Sequence, residues 1–405
     1  QIQGWIQIKV LERLNGLCFL EVRPMFRLII FSGTLIFVQM VSLLGAEVNG
    51  SSLIIPEPLK DLGKKYKIRV VYSVPSDKKV KKEYQKKVDV LMRVVADVYK
   101  REIKANGFKT RGLDFEFNQK SELVVHLVKA KEKSSHYTGS PFNIDHFLNS
   151  HQQEIWEKTG FSRNRPTLVF SEAGSVAEAR PIPQVYSGLA CVSADALSDA
   201  VTASMIETQI NNFQVLKNNK ADAAKISQTS NGVIIHEIGH IFGMLHDTSD
   251  SKNIMMRGYD NLGQMYKKKE SKNRPVRFSR PHARIASYSR FLNESFDESD
   301  TEPPSIEEFN IEKNLKAGDQ SMDIVVKISD NKGLGSIIIM QRGGGQIDAL
   351  VADYSPEGEK KYNKKVSVKC PKPLVPNQPL ILIVNVMDVN GNLSQSVIQS
   401  QIEPD

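Results

Sequence analysis

Apolar positions in the first half of the chain switch between two periods. Tyr66 to Val74 (YKIRVVYSV) is a short run of β-branched and aromatic residues closed by Pro75, which predicts a strand. Val80, Tyr84, Val88, Leu91, Val94, Val95, Val98, Tyr99 and Ile103 then recur at steps of three and four, predicting a long amphipathic helix that stops near Gly107. Leu113 to Phe117 and Leu123 to Val128 read as strands, Ile144 to Thr159 as a helix, and Thr167 to Phe170 as another strand. Gln184 to Ala196 is compatible with an edge strand, although Gly188 and its small neighbours weaken the pattern. Leu197 to Lys225 has helical propensity without a clean apolar stripe, and its role is left open. Ser279 to Leu292 opens on Ser-Arg-Pro, a helix start, and carries Ile285, Tyr288 and Leu292 on one side. Helix between strands, followed by more strands, predicts an α/β (α+β) sandwich with a mostly parallel sheet.

The period changes after a break. Glu294 to Ser305 (ESFDESDTEPPS) is acidic and holds Pro303 and Pro304, which marks a linker. Beyond it come short β-rich runs, among them Met322 to Ile328, Ser336 to Met340, Lys365 to Val368 and Leu380 to Val386. Turn signals at Asp330-Asn331-Lys332-Gly333 and Asn390-Gly391 separate them, and the region resembles an immunoglobulin- or fibronectin III-like sandwich. The Asp and Asn residues at these turns suit hairpin chemistry, which explains them without the alternative of a structural Ca²⁺ ion.

At the other end, Leu28 to Gly45 (LIIFSGTLIFVQMVSLLG) is almost wholly apolar, preceded by Arg23 and Arg27 and followed by Ala46. This pattern predicts a signal peptide, with Met25 as the expected start of translation, and the same run is also long enough for an uncleaved membrane anchor. Either reading exports the rest, to a secreted, periplasmic or cell-surface location. The expected organisation is therefore residues 1–46 as leader or anchor, 47–293 as a catalytic domain, 294–305 as linker and 306–405 as an all-β sandwich.

Composition refines this picture only slightly. The 405 residues are 40% hydrophobic and 25% charged, as in ordinary globular protein. The net charge of +8 comes from lysines spread widely, with no aromatic-basic motif beside them, so no nucleic-acid partner is expected. The densest basic run, Lys78 to Lys87, reads as a solvated helix face, with weak attraction to anionic surfaces as the functional alternative. Cys18, Cys191 and Cys370 cannot build a disulfide framework, and Cys191 between Ala190 and Val192 reads as a small buried hydrophobe rather than a reactive thiol.

The chemistry concentrates in NGVIIHEIGHIFGMLHD, from Asn231 to Asp247, where Thr229, Ser230 and Asn231 are available as helix caps. Four residues apart on a helix, His236 and His240 project from one face and can grip one metal ion. Glu237 is rotated away from the metal itself and suits a general base. Gly243 can end the helix in a left-handed conformation and turn His246 back as a third ligand. Three imidazoles leave a coordination position open for water, the mark of a catalytic Zn²⁺ site rather than a closed structural one. With 8 His and 25 Gly in the chain, the five fixed residues should meet by chance in roughly one chain in 100,000. His126, His136, His146, His151 and His282 have no such company and read as surface or local structural residues.

The pattern HExxHxxGxxHD from His236 to Asp247, followed by Asn253-Ile254-Met255, resembles the metzincin zinc proteases with their Met-turn. The resemblance implies that Met255, or Met256 as the competing assignment, forms an apolar floor under the metal. Gly243-Met244 and Asp247 look most like the adamalysin or reprolysin branch, while the close spacing to Met255 also suits matrixins. Asn253 stands where reprolysins usually carry Cys, that branch's disulfides are missing, and no inhibitory propeptide fits between Ala46 and Tyr66. Arg257 replaces the tyrosine that astacin-like members use as an extra ligand, so no fifth protein ligand is implied. The expected function is that of a secreted zinc endopeptidase acting on extracellular or cell-surface proteins. Its substrate preference would be set by the lysine-rich stretch Gly258 to Arg277, which favours acidic side chains. The rival class is an adhesion or binding protein whose protease domain is only structural; the intact Glu237 speaks against it.

Overall fold

The computed structural model describes residues 56–404 except 162, 175, 212–221, 257–261 and 263–275. The apolar run 28–45, Met25, Cys18 and Arg257 lie outside the described residues. Among the described residues, no helix is long and apolar enough to cross a membrane.

The first half is α/β. Along the chain come β1 (Arg69–Val74), α1 (Tyr84–Ala105), β2 (Val125–Lys129), α2 (Ser134–Thr138), α3 (Ile144–Thr159), β3 (Thr167–Ser171), β4 (Ala177–Ile182), β5 (Ser187–Ser193), α4 (Ala203–Asn211), α5 (Asp222–Ile241) and α6 (Arg280–Tyr288). The strands form one sheet in the order β2-β1-β3-β5-β4, parallel except for β4, which runs antiparallel along β5. Every residue of β1 is buried because the sheet is covered on both faces. Val70 and Tyr72 share a core with Val88, Leu91 and Val95 of α1 and Ile235 and Ile238 of α5. Val71 points the other way, into a second core with Phe147 and Ile155 of α3.

Several expectations need correction. The run Leu113 to Phe117 makes only isolated bridges, Ile68 to Phe115 and Phe117 to Leu123. Asp114 explains why: its side chain accepts from the backbone of Leu62, Lys64 and Phe115, holding a loop rather than a ladder. The strand within Gln184 to Ala196 is β5, and it lies inside the sheet; the edge belongs to β4, whose polar, proline-containing sequence gives little strand signal. Helix α1 starts at Tyr84, so Lys78 to Lys82 precede it. Lys87 is not solvated but buried, donating to the carbonyls of Leu197 and Ser198 at 3.0 Å each. Thr229, Ser230 and Asn231 sit inside α5 and do not cap it, because the helix begins at Asp222.

The second half is β-rich: β6 (Ser305–Ile311), β7 (Leu315–Lys316), β8 (Ser321–Ser329), β9 (Leu334–Gly343), β10 (Gln346–Tyr354), β11 (Lys361–Lys369), β12 (Pro379–Asp388) and β13 (Leu393–Glu403). They make a five-stranded sheet, β10-β9-β12-β13-β7, and a three-stranded one, β11-β8-β6. Met322, Ile324, Val326 and Ile328 of β8 alternate inward against Ile337 and Ile339 of β9 and Leu382 and Val384 of β12, so the two sheets share a core. The turn Asp330–Gly333 therefore carries the chain from one sheet to the other rather than closing a hairpin, whereas Asn390-Gly391 does join the antiparallel pair β12–β13.

The two halves meet over the far face of the five-stranded sheet. Ile338 and Met340 of β9 and Met387 of β12 belong to the same apolar cluster as the α/β core. The continuous run IIIM follows from this, since β9 is covered on both sides. The stretch 294–305 lies against this seam: Asp300 is buried, its carboxylate accepting from Asn331 and Asn390. Beside it Arg290, 1% exposed, donates to the carbonyls of Asn390 and Asp300, to Tyr66 Oη and to Asn392 Oδ1, and stacks 4.0 Å over the Tyr186 ring. At the turns, Asp330 Oδ1 accepts from the backbone of Lys332 and Gly333, and Asp388 Oδ1 from that of Asn390 and Asn392. Cys191 and Cys370 are both buried free thiols, and burial pushes each thiol up.

Candidate metal centre and cleft

Helix α5 carries the first two histidines, one turn apart. It ends where Phe242 N and Gly243 N fold back on the carbonyls of Gly239 and His240, and Gly243 adopts φ +84°, a region that favours glycine. A Cβ there would also stand only 3.1 Å from Leu393 and 3.2 Å from Ile285. The reversed chain brings His246 beside the other two.

The three Nε2 atoms converge, His236 to His240 at 3.2 Å and His246 to each of them at 3.1 Å. Every Nδ1 faces an acceptor: Ile254 O at 2.9 Å for His236, Met244 O at 2.9 Å for His240, and Asp348 Oδ2 at 2.7 Å for His246. A proton on each Nδ1 leaves a lone pair on each Nε2. Three lone pairs cannot bond one another, but they suit a shared cation. Tetrahedral bonds of about 2.0–2.1 Å would space the nitrogens about 3.3 Å apart, close to what is seen. Burial holds His236 down to about 4 and His240 well below its ordinary value, so both are neutral imidazoles near pH 7, the form a metal needs.

Glu237 lines the same cleft and is 4% exposed. Burial pushes its carboxyl up to about 8, with the Glu178 charge adding to the effect. A cation among the imidazoles would oppose that rise.

Of the two candidate methionines lining the cleft, Met255 is fully buried while Met256 is half-buried. A Cβ on Gly239 would lie 2.8 Å from Met255 Sδ and 3.0 Å from Met244 Sδ, so glycine lets both thioethers pack against the helix. Asp247 is buried and accepts from Ser249 N and from Asn253 Nδ2, and its own N–H donates to Met255 O. Asn253, fully buried, also contacts His282 Nδ1 at 3.1 Å. His282 is therefore a structural residue of this centre. His151 is likewise buried, between Phe147 O and Ser171 Oγ, and His126 pairs with Glu116.

The cleft above the histidines measures about 660 Å³. One wall is β4, with Ala177, Glu178 and Ala179; the other comes from the C-terminal sheet, with Met340, Arg342, Asp348, Ile383, Asn385 and Gln395. None of these wall residues was predicted from sequence. They stand far from the motif along the chain, and no spacing rule links a strand residue to a helix a hundred positions away. The stretch 258–277 falls mostly outside the described residues; within it Leu262 and Val276 are buried, and Arg277 pairs with Asp250.

No family model matches the sequence, and no curated protein matches it. Solved structures do. The fold is similar to that of catalytically inactive OgpA from Akkermansia muciniphila in complex with an O-glycopeptide (glycodrosocin) substrate, with TM-score 0.55 and 13% identity over 86% of this chain and 97% of that one. Two crystal forms of wild-type OgpA from Akkermansia muciniphila align with TM-scores of 0.51 and 0.50 at 14% and 15% identity, over 86% of this chain and 98% and 97% of theirs. At that coverage the shared fold takes in both the α/β half and the C-terminal sheets.

Proposed function

We propose that this chain is an exported zinc-dependent endopeptidase of the metzincin type, with His236, His240 and His246 on the metal and Glu237 as general base. The observation that carries the proposal is the set of three imidazoles, each fixed at Nδ1 and presenting Nε2 to a common point, beside a buried glutamate in an open cleft. The fold likeness to OgpA, one structure of which holds an O-glycopeptide substrate, supports a peptide occupant for this cleft and makes O-glycosylated peptides a substrate class to test.

Zinc, when bound, supplies a Lewis acid that polarises a substrate carbonyl and acidifies a water molecule. Glu237 takes the proton from the attacking water and delivers it to the leaving amide nitrogen. Strand β4 pairs on one side with β5 and has no strand on its other side among the described residues, so its main chain can take an extended peptide along the cleft. Met340 and Ile383 offer that peptide an apolar wall, and Arg342 a cation. Met255 is buried and lines the cleft, and its thioether has no proton to transfer. The export reading rests on the apolar run 28–45 and is tested by fractionating the cells that make the protein.

The deciding experiment incubates the full chain, loaded with zinc, with an unstructured protein, an O-glycopeptide and the same peptide without its glycan. Cleavage should vanish with a chelator, return with zinc and be absent from Glu237→Ala. A monodisperse, metal-loaded preparation that leaves all three intact would sink the peptidase reading.

A further inference from the structure

The three ligands are not anchored alike. His236 and His240 give their Nδ1–H to backbone carbonyls of the same α/β half, Ile254 O and Met244 O. His246 gives its own to a carboxylate 102 positions away, Asp348 Oδ2 on β10. That carboxylate is itself clamped. Arg342 on β9 donates Nε to Asp348 Oδ1 and Nη2 to Oδ2, each at 2.6 Å, in the two-point geometry that fixes a carboxylate plane. The Asp348 carbonyl accepts from Thr248 N at 2.9 Å, so main chain as well as side chain meets the turn that bears the third ligand. Asn385 on β12 reaches the same turn from another strand, donating to Gly243 O at 2.8 Å.

We propose that Asp348 is the positioning residue for the third metal ligand, and that the C-terminal sheet, through Asp348 and Arg342, completes the metal centre instead of serving as a detached accessory module. This rests on the metal-centre reading above. A hydrogen-bond acceptor behind an imidazole fixes the ring and makes the facing nitrogen a stronger donor, and a charged carboxylate does the second more strongly than a neutral carbonyl. His246 is also the one of the three carried on a turn, with its side chain 36% exposed, whereas His236 and His240 belong to helix α5.

The test measures zinc affinity by competition with a chromophoric chelator, on the full chain, for wild type, Asp348→Asn, Asp348→Ala and His240→Ala, beside the melting temperature of each metal-free form. Asp348→Ala should weaken zinc binding about 10- to 100-fold, the range found for lost outer partners of metal ligands. Asp348→Asn, which keeps an acceptor for His246 Nδ1 and loses the charge, should fall between it and wild type. Affinity within twofold of wild type in Asp348→Ala, even with a lowered melting temperature, would overturn the proposal and leave Asp348 a structural ion pair. If Asp348→Ala does not fold, the same twofold limit applied to Asp348→Asn decides. His240→Ala guards the premise: zinc binding unchanged in that variant means that the metal sits elsewhere, a failure distinct from an indifferent Asp348.

Discussion

The α/β sheet and the five-stranded C-terminal sheet are both covered on two faces, but by different partners. Helices α1 and α5 on one side and α3 on the other cover the first, all from its own half of the chain. The second has the β8 sheet on one face and the α/β half itself on the other. In the first, strand side chains mainly pack. In the second, the face turned toward the helices breaks its apolar run with Arg342, Asp348, Asn385 and Gln395, where it reaches the cleft. The lesson is that a sheet far along the chain can be read as a self-contained module and still line another half's cleft with polar side chains on one face.

The largest effect should come from the α/β half alone. Glu237→Gln should cut peptide hydrolysis about 10²- to 10⁴-fold while zinc content stays at the wild-type level, since the change removes the base and none of the ligands. Mass-spectrometric zinc stoichiometry beside a cleavage assay checks this, and loss of both together would mean that Glu237 also holds the site in shape.

Two alanine variants on successive residues of β9 then sharpen the contrast between its faces. Ile339→Ala opens the sandwich core and Ile338→Ala the α/β core, each at a cost of about 2–5 kcal/mol. If the halves unfold together, both lower one and the same calorimetric transition; two separable transitions, each sensitive to only one variant, would break the comparison.

Gly239→Ala should destabilise by about 1–3 kcal/mol, because the new methyl meets Met255 and Met244 where the thioethers now lie. Denaturant midpoints measure the loss, and a neutral result would show that the two methionines move aside freely. Smallest is Asn385→Ala, which leaves the buried turn at Gly243 short of one donor and should cost about 1–2 kcal/mol, read from the same denaturant curves. An Asn385 effect equal to that of Ile338 would mean that the seam is held by polar bonds more than by packing.

How much of this could be read along the chain depends on how local each signal is. Helix α3 runs from Ile144 to Thr159 as the pattern predicts, because Asn143 caps it and Gly160 stops it, both written next to the helix. The convergence of His236, His240 and His246 was legible for the same reason: one helix and one glycine turn set it. Strand β4 was not legible, since Glu178, Arg180 and Pro181 spoil any apolar alternation; only its pairing with β5 makes it a strand. Asp348 and Arg342 lie six residues apart and look like any surface pair until folding sets them against His246. Asn253 was visible only as a departure from a family pattern, and its use became clear from its bonds to Asp247 and His282. The stretch from Glu294 reads as a spacer by composition, yet Asp300 within it is buried at the seam.

Arg290 has a consequence for how readily the molecule opens. Its guanidinium takes acceptors from Tyr66 near one end of the chain and from Asn390 and Asn392 near the other. Parting the seam would break these bonds at once, together with the stacking over Tyr186, each bond to the charged group being worth about 1.5–3 kcal/mol. Partial opening is thus penalised more heavily than its lost contact area alone would suggest, and proteolytic nicking needs just such a locally opened chain. One buried cation thus weighs against cleavage of the folded chain.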